Sequence, residues 1–301
     1  MMPLSRRTIP LLAVLAACSG AGGGAEEKAP EEGCRIEARG LTLPENVKEA
    51  SGVAFSRTLH GVLWTHNDSG HEPELFGLDA TGQELANFPV GVPMRDWEDI
   101  AVGPCAEGSC VYMADIGDNS RGSEPLALFV APEPSAAGER VGPVRTYTAR
   151  FPDGRTRDAE AIFVLPGGEV YLISKGTRTP VDLFRWPTPL REGAPATLVH
   201  VRQLAPTPAQ PGDRVTGASA SPDGRFVAVR TYSLLNVYRT TDLVGPSPAP
   251  PAPLRRTDLI PLGEAQGEGV ALADDGTVAL VSEGHGRHVP GTLALLRCPL
   301  K

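Results

Sequence analysis

Long apolar runs are nearly absent from this 301-residue chain. The segment Ile9 to Ala17 is apolar but too short to cross a bilayer as a stable helix, and no later run reaches the necessary length. Cations are also scarce. Lys and Arg number 28 against 36 Asp and Glu, for a net charge of -8, and there are six histidines. Phosphate backbones are held by clustered Lys and Arg, so nucleic acid is not an expected partner. Several catalytic signatures are missing. There is no G-x-S-x-G elbow, no phosphate-binding glycine loop ahead of a helix and no paired-histidine zinc motif. Aromatic residues make up 5% of the chain, and its three tryptophans, Trp64, Trp97 and Trp186, read as packing residues.

What is present begins at the N-terminus. Arg6 and Arg7 precede the apolar core, which ends in Leu15-Ala16-Ala17-Cys18. This order resembles the signal peptide and lipobox of bacterial lipoproteins. The resemblance implies cleavage before Cys18 and acylation of that cysteine. The mature chain would then be tethered to a membrane, with its net charge moved from -8 to -10. Residues 18–33, mostly Gly, Ala, Glu and Pro, have too little apolar surface to fold and read as a flexible tether. Residues 34–301 remain as one domain. Their glycines and prolines, drawn from 34 and 30 in the whole chain, predict many turns and few helices.

Five segments of that domain repeat one pattern: a polar lead-in, an apolar strand, a tight turn and a second apolar strand. They begin at Glu49, Asp96, Asp158, Arg214 and Gln266. Their anchor residues, two positions later, are Ser51, Glu98, Glu160, Thr216 and Glu268, at spacings of 47, 62, 56 and 52. A third strand follows in each unit and a fourth in all but the last. Pro166-Gly167-Gly168, Pro222-Asp223-Gly224 and Asp274-Asp275-Gly276 supply turn chemistry between the first two strands. Four strands repeated five times predict an all-β fold, a β-propeller of five four-stranded blades. The strand starting at Cys34 lacks a partner in its own neighbourhood and is expected to complete the last blade and close the ring. Closure would bring Cys34 to Cys298, while Cys105 and Cys110 flank one hairpin turn. Both pairs are expected as disulfides in an exported protein.

In a propeller the first strand of each blade lines the central channel, so equivalent positions from distant repeats converge at its mouths. Three lead-ins are glutamates, Glu98, Glu160 and Glu268. Asp96, Asp158 and Glu49 stand two positions ahead of anchors. Residues leaving the second strands are His66, Asn67, Asp68, Asp115, Asp118, Asn119, Lys175, Arg230 and Glu283, with His285 and His288 shortly after. A ring of acids with few cations invites either raised pKa values or a bound cation. All-oxygen ligands suit Ca²⁺ or Mg²⁺, and Glu98, Asp115, Glu160 and Glu268 are the candidate metal ligands. Asn67, Asp68, Asp118, Lys175, Arg230 and Glu283 are candidate ligand-binding residues. His66 is the candidate acid–base residue, with Glu98, Glu160 and Glu268 as further catalytic candidates. The competing expectation for the lead-ins is structural, namely hydrogen bonds to the backbone of the neighbouring blade.

The segments LWTHNDSG, DWEDIAVGP, MADIGDN, DAEAI, VTGASASPDG and GEGVAL resemble a family of exported bacterial β-propeller lipoproteins. More distantly, the acidic lead-ins are similar to those of phytase-like and esterase-like propellers, whose carboxylates bind Ca²⁺ around a phosphate ester. Five-bladed glycosidases, with three carboxylates around a sugar, are a further comparison. The expected function is that of a monomeric, lipid-anchored extracytoplasmic protein of the bacterial cell envelope. Its acidic channel mouth would bind a small molecule or an envelope protein or glycan, with a divalent cation. The alternative is a metal-dependent hydrolase of a phosphate ester, lactone or glycoside.

Overall fold

The computed structural model describes residues 33–118, 124–135, 140–247, 249–284 and 289–301. Cys18, Asn119, His285 and His288 lie outside the described residues.

Five antiparallel sheets form a β-propeller. Blade 1 is built from Ala50–Phe55, Leu63–Asn67, Glu74–Leu78 and Glu84–Pro89. Blade 2 uses Trp97–Cys105, Gly108–Asp115, Leu126–Pro132 and Arg145–Arg150, with Ala196–Thr197 added in parallel at its outer edge. Blade 3 is Ala159–Val164, Val170–Ser174, Val181–Arg185 and Val199–Ala205. Blade 4 is Val215–Ala220, Phe226–Thr231, Leu234–Arg239 and Arg255–Asp258. Blade 5 comprises Gln266–Leu272, Thr277–Glu283 and Thr292–Arg297, and the N-terminal strand Arg35–Thr42 completes it. The expected closure is therefore present, and it leaves blade 5 without a missing outer strand. The disulfides Cys34–Cys298 and Cys105–Cys110 are both formed, one at the closure and one across a hairpin.

Local chemistry explains the hairpins. Gly168, Gly224 and Gly276 adopt φ of 84°, 71° and 84°, which the three turns require and L side chains resist. Alternation explains the packing. Along the first strand of blade 2, Ile100 and Val102 face blade 1, while Ala101 faces blade 3. On the second strand, Val111 and Met113 point one way and Tyr112 and Ala114 the other. Each blade is thus apolar on both faces, and the buried side chains fall into five clusters, one between each pair of adjacent blades. Trp64, Trp97 and Trp186 are all buried in these layers. The inner strands contact one another in ring order, blade 5 returning to blade 1. Among the described residues no helix is long and apolar enough to cross a membrane.

Candidate functional site

The residue after each anchor lies on the inner strand of its blade: Gly52, Asp99, Ala161, Gly217 and Gly269. Space is tight there. A Cβ at Gly217 would come within 2.7 Å of the Glu268 carbonyl, and one at Gly52 within 2.8 Å of both Asp99 Oδ1 and His66 Nε2. The one large side chain of the five, Asp99, is fully buried between the inner strands. Its Oδ1 accepts the amide of Ile100 at 2.8 Å, and its Oδ2 accepts those of Ile162 at 2.8 Å and Ala218 at 3.4 Å. One carboxyl thereby joins blades 2, 3 and 4. Burial raises its pKa, and the amides pull it back.

The anchors divide by chemistry. The hydroxyls behave structurally. Ser51 Oγ donates to the Glu98 carbonyl at 2.6 Å, and Thr216 Oγ1 to the Glu268 carbonyl at 3.0 Å, each tying its blade to the next. Among the described residues the glutamate side chains make no such bond to a neighbouring backbone, and they remain only 4%, 4% and 3% exposed for Glu98, Glu160 and Glu268.

Two groups of acids form. Asp68, Asp96 and Glu98 bring one carboxylate oxygen each within 4.8 Å of one another, and so do Glu98, Asp158 and Glu160. Glu98 belongs to both. Among the described residues, no hydrogen-bond donor and no ion pair reaches its carboxylate. Burial, then the charges of Glu160, Asp68 and Asp96, push its pKa well above the usual carboxylate range. A Cβ on Gly117 would overlap Glu98 Oε1 and Asp96 Oδ2, so the bare glycine backbone is part of the wall against these oxygens.

Lys175, leaving the second strand of blade 3, enters the second group. Its Nζ lies 2.6 Å from Glu160 Oε1 and 3.9 Å from Asp158 Oδ2, and it also meets Tyr232 of blade 4. Burial nonetheless raises Glu160, with Lys175 opposing. Glu268 of blade 5 accepts from Gln266 Nε2 at 2.8 Å through Oε1, while its buried Oε2 has no partner. Burial and the neighbouring Glu283 push Glu268 up to about 8. Burial, with Asp68 and Glu49, pushes Glu283 to about 7, and Asp68 stands at about 6 for the same reason of burial.

The expected residues therefore sort differently from their positions in the repeat. Asp115 does not join either acid group. Its oxygens accept the amides of Arg95 at 3.2 Å and Asp96 at 3.1 Å, which positions Asp96 instead. Asn67 braces the lead-in of its own blade, accepting from Glu49 N at 3.0 Å and donating to Asn46 O at 2.8 Å. Arg230 is fully buried, donating to the carbonyls of Gly269 at 2.9 Å and Val281 at 3.0 Å and pairing with Glu264. His66 is also fully buried. Its Nε2 accepts the Gly52 amide at 3.0 Å, so the proton sits on Nδ1, 2.9 Å from the Asn67 carbonyl. It stacks on Trp97 at 3.9 Å, and burial pushes its pKa down to about 3. Glu268 lies outside both acid groups. Conversely, Asp96 and Asp158 join the groups although only their place ahead of the anchors pointed to them. Cys105 and Cys110 also approach Glu107, but their disulfide removes them as metal ligands. A cavity of about 430 Å³ opens beside the second group, lined by Asp118, Thr156, Arg157, Asp158, Thr177, Arg178 and Thr179. Arg157 there is held by Asp153 in two bonds of 2.7 Å.

No protein-family model matches the sequence, and no curated protein matches it significantly. Among solved structures, the chain is similar to the PQQ-bound form of aldose sugar dehydrogenase from Streptomyces coelicolor. That likeness has 13% identity and a TM-score of 0.52, covering 90% of this chain and 100% of that one. A luciferin-regenerating enzyme is 12% identical at a TM-score of 0.45, over 89% of this chain and 95% of its own. At 13% identity, the likeness to the dehydrogenase shows a shared β-propeller fold.

Proposed function

We propose that this protein is a lipid-anchored, extracytoplasmic β-propeller. Its acidic channel mouth holds a divalent cation, Ca²⁺ or Mg²⁺, between Asp68, Asp96 and Glu98 and presents it to a small-molecule or cell-envelope ligand. The observation that carries this reading is Glu98. A carboxylate 4% exposed, without a donor among the described residues and shared by two acid groups, is costly unless a cation or a proton neutralises it. An all-oxygen set of this kind favours a hard cation. The cavity beside Asp158, which belongs to the acid group sharing Glu98 with the cation site, offers polar contacts to a ligand through its hydroxyls and the exposed Arg178. The basic N-terminus, the Leu15-Ala16-Ala17-Cys18 run and the tether support the anchor.

Calcium titration of the purified protein, followed by thermal unfolding, tests the cation. Ca²⁺ is expected to raise Tm by several degrees in the native protein and to have no such effect in Glu98→Gln. An unchanged Tm with both Ca²⁺ and Mg²⁺ would remove the cation from the function. A second reading, a metal-dependent hydrolase, draws on Glu268. With its pKa near 8 it is protonated at neutral pH, and its unpartnered Oε2 suits a general acid. A panel of phosphate esters, lactones and glycosides checks it, and turnover that survives Glu268→Gln would exclude that role.

A further inference from the structure

The cavity beside Asp158 has a volume of about 430 Å³, and no apolar side chain lines it. Ligand pockets commonly span roughly 300–1,000 Å³ but are mostly apolar, so a wall of hydroxyls and charges selects a polar ligand. Two arginines stand in that wall, and they differ. Arg157 is committed within the chain. Asp153 holds its guanidinium in two bonds of 2.7 Å, and the same group lies 5.1 Å from the Phe151 ring centroid and 5.6 Å from that of Phe184. Arg178 is exposed, and among the described residues no acid or carbonyl pairs with it. Its loop is braced on both sides. Gly176 turns at a φ of 84°, packed so that a Cβ would come within 2.8 Å of Val181 and Pro208. Thr177 Oγ1 donates to Asp158 Oδ2 at 3.2 Å, and Ser174 Oγ to the Pro180 carbonyl at 3.2 Å. Two further hydroxyls of the wall, those of Thr156 and Thr179, make no hydrogen bond among the described residues.

We propose that this cavity is a subsite for a uronic acid, a sugar bearing one carboxylate, with the carboxylate on Arg178 and the ring hydroxyls on Thr156, Thr179 and Asp158. The guanidinium fork matches a carboxylate in shape and charge. Asp118 and Asp158 both line the cavity, so a doubly charged phosphate would meet about twice the repulsion that a carboxylate meets. An amino acid would bring an ammonium to Asp158, which already faces that of Lys175 at 3.9 Å, whereas a sugar hydroxyl brings no charge. The same chemistry is offered by a free sugar acid and by one unit of an envelope polymer. The assignment rests on the proposed ligand docking in this cavity, and it does not require the cation.

Ligand-observed NMR titration of the native protein in a chelating buffer tests it, with glucuronate, galacturonate and trigalacturonate set against glucose, glucose 6-phosphate and glutamate. At least one uronate should bind with a Kd of about 1 mM, the affinity expected of a drug-like contact density over about 13 non-hydrogen atoms. The three controls should bind about tenfold more weakly or not at all. A trimer that binds more tightly than the monomer assigns the polymer as the source, and equal affinities assign the free sugar acid. Arg178→Ala should weaken uronate binding by about tenfold or more, and Arg178→Lys should restore part of it. Equal or tighter binding of glucose, glucose 6-phosphate or glutamate overturns the proposal on the native protein alone. So does an unchanged uronate affinity in folded Arg178→Ala. Uronate binding that appears only with Ca²⁺ and ignores Arg178→Ala places the carboxylate on the ion and also overturns it. A Tm raised by Ca²⁺ with no uronate bound leaves the cation site standing and removes this one. Uronate bound in chelator, with no Tm response to Ca²⁺, supports this site and removes the cation.

Discussion

Asp99 Oδ2 accepts the amide hydrogen of Ile162 at 2.8 Å, joining the inner strands of blades 2 and 3 through a fully buried carboxyl. Removing it leaves the amides of Ile100, Ile162 and Ala218 buried without an acceptor. Each such orphan costs roughly 1–3 kcal/mol. Asp99→Ala should therefore lower the unfolding free energy by about 3 kcal/mol or more, and Asp99→Asn by less, because one amide oxygen remains. Urea unfolding followed by circular dichroism measures both. A loss under about 0.5 kcal/mol for the alanine variant would show that these bonds contribute little.

The acidic mouth sets a pH dependence whose sign can be worked out. Glu268 and Glu283 have folded pKa values raised to about 8 and about 7 from an ordinary 4.5. The folded state binds their protons more tightly than the unfolded chain does. Their favourable contribution is complete below about 4.5 and fades as pH rises through 7 and 8. His66 acts in the opposite sense. Its value falls from 6.5 to about 3, so it removes stability only as pH drops below 6.5. Between pH 6.5 and 8 His66 is silent, and the cation-free protein should become steadily less stable. Glu268→Gln should flatten that slope. Thermal melts in a chelating buffer across this window provide the check, and a rising Tm there would contradict the assignment.

The two disulfides differ in the length of chain they close. Cys34–Cys298 spans 264 residues and Cys105–Cys110 spans 5. In the loop-entropy account these correspond to about 5.6 and about 2 kcal/mol as upper figures. Cys34→Ser with Cys298→Ser should thus lower the urea midpoint well beyond the effect of Cys105→Ser with Cys110→Ser. Equal losses would place the value of the first bond elsewhere than in ring closure.

Membrane attachment is expected to depend on Cys18 alone. Cys18→Ser, expressed in a bacterium that lipidates exported proteins, should move the protein from the membrane fraction to the soluble fraction. Retention in the membrane pellet would exclude the lipid anchor.

Much of the architecture was legible in the chain because the signals for it are local. Alternating apolar residues, turns such as Pro222-Asp223-Gly224 and five recurring lead-ins specify hairpins and their count wherever the chain goes. Even the closure could be read, because the strand after Cys34 had no partner nearby and blade 5 lacked one. The lead-in glutamates were visible for the same reason of repetition. Which of their neighbours complete the site was not. Asp115, Asn67, Arg230 and His66 occupy channel-mouth positions in the repeat, yet each is drawn to a buried backbone group, the first two and His66 within their own blade and Arg230 in the next one. Asp96 and Asp158 remain turned toward Glu98. Composition and periodicity determined a five-bladed ring with an acidic mouth. The closing of that ring decided which acids of different blades face one another and which amides of blades 3 and 4 Asp99 meets. The hairpin register of blade 3 set Lys175 beside Glu160, whereas bringing Asp158 and Glu160 to Glu98, and Arg230 to the Gly269 carbonyl, depends on distances between blades that no local pattern encodes.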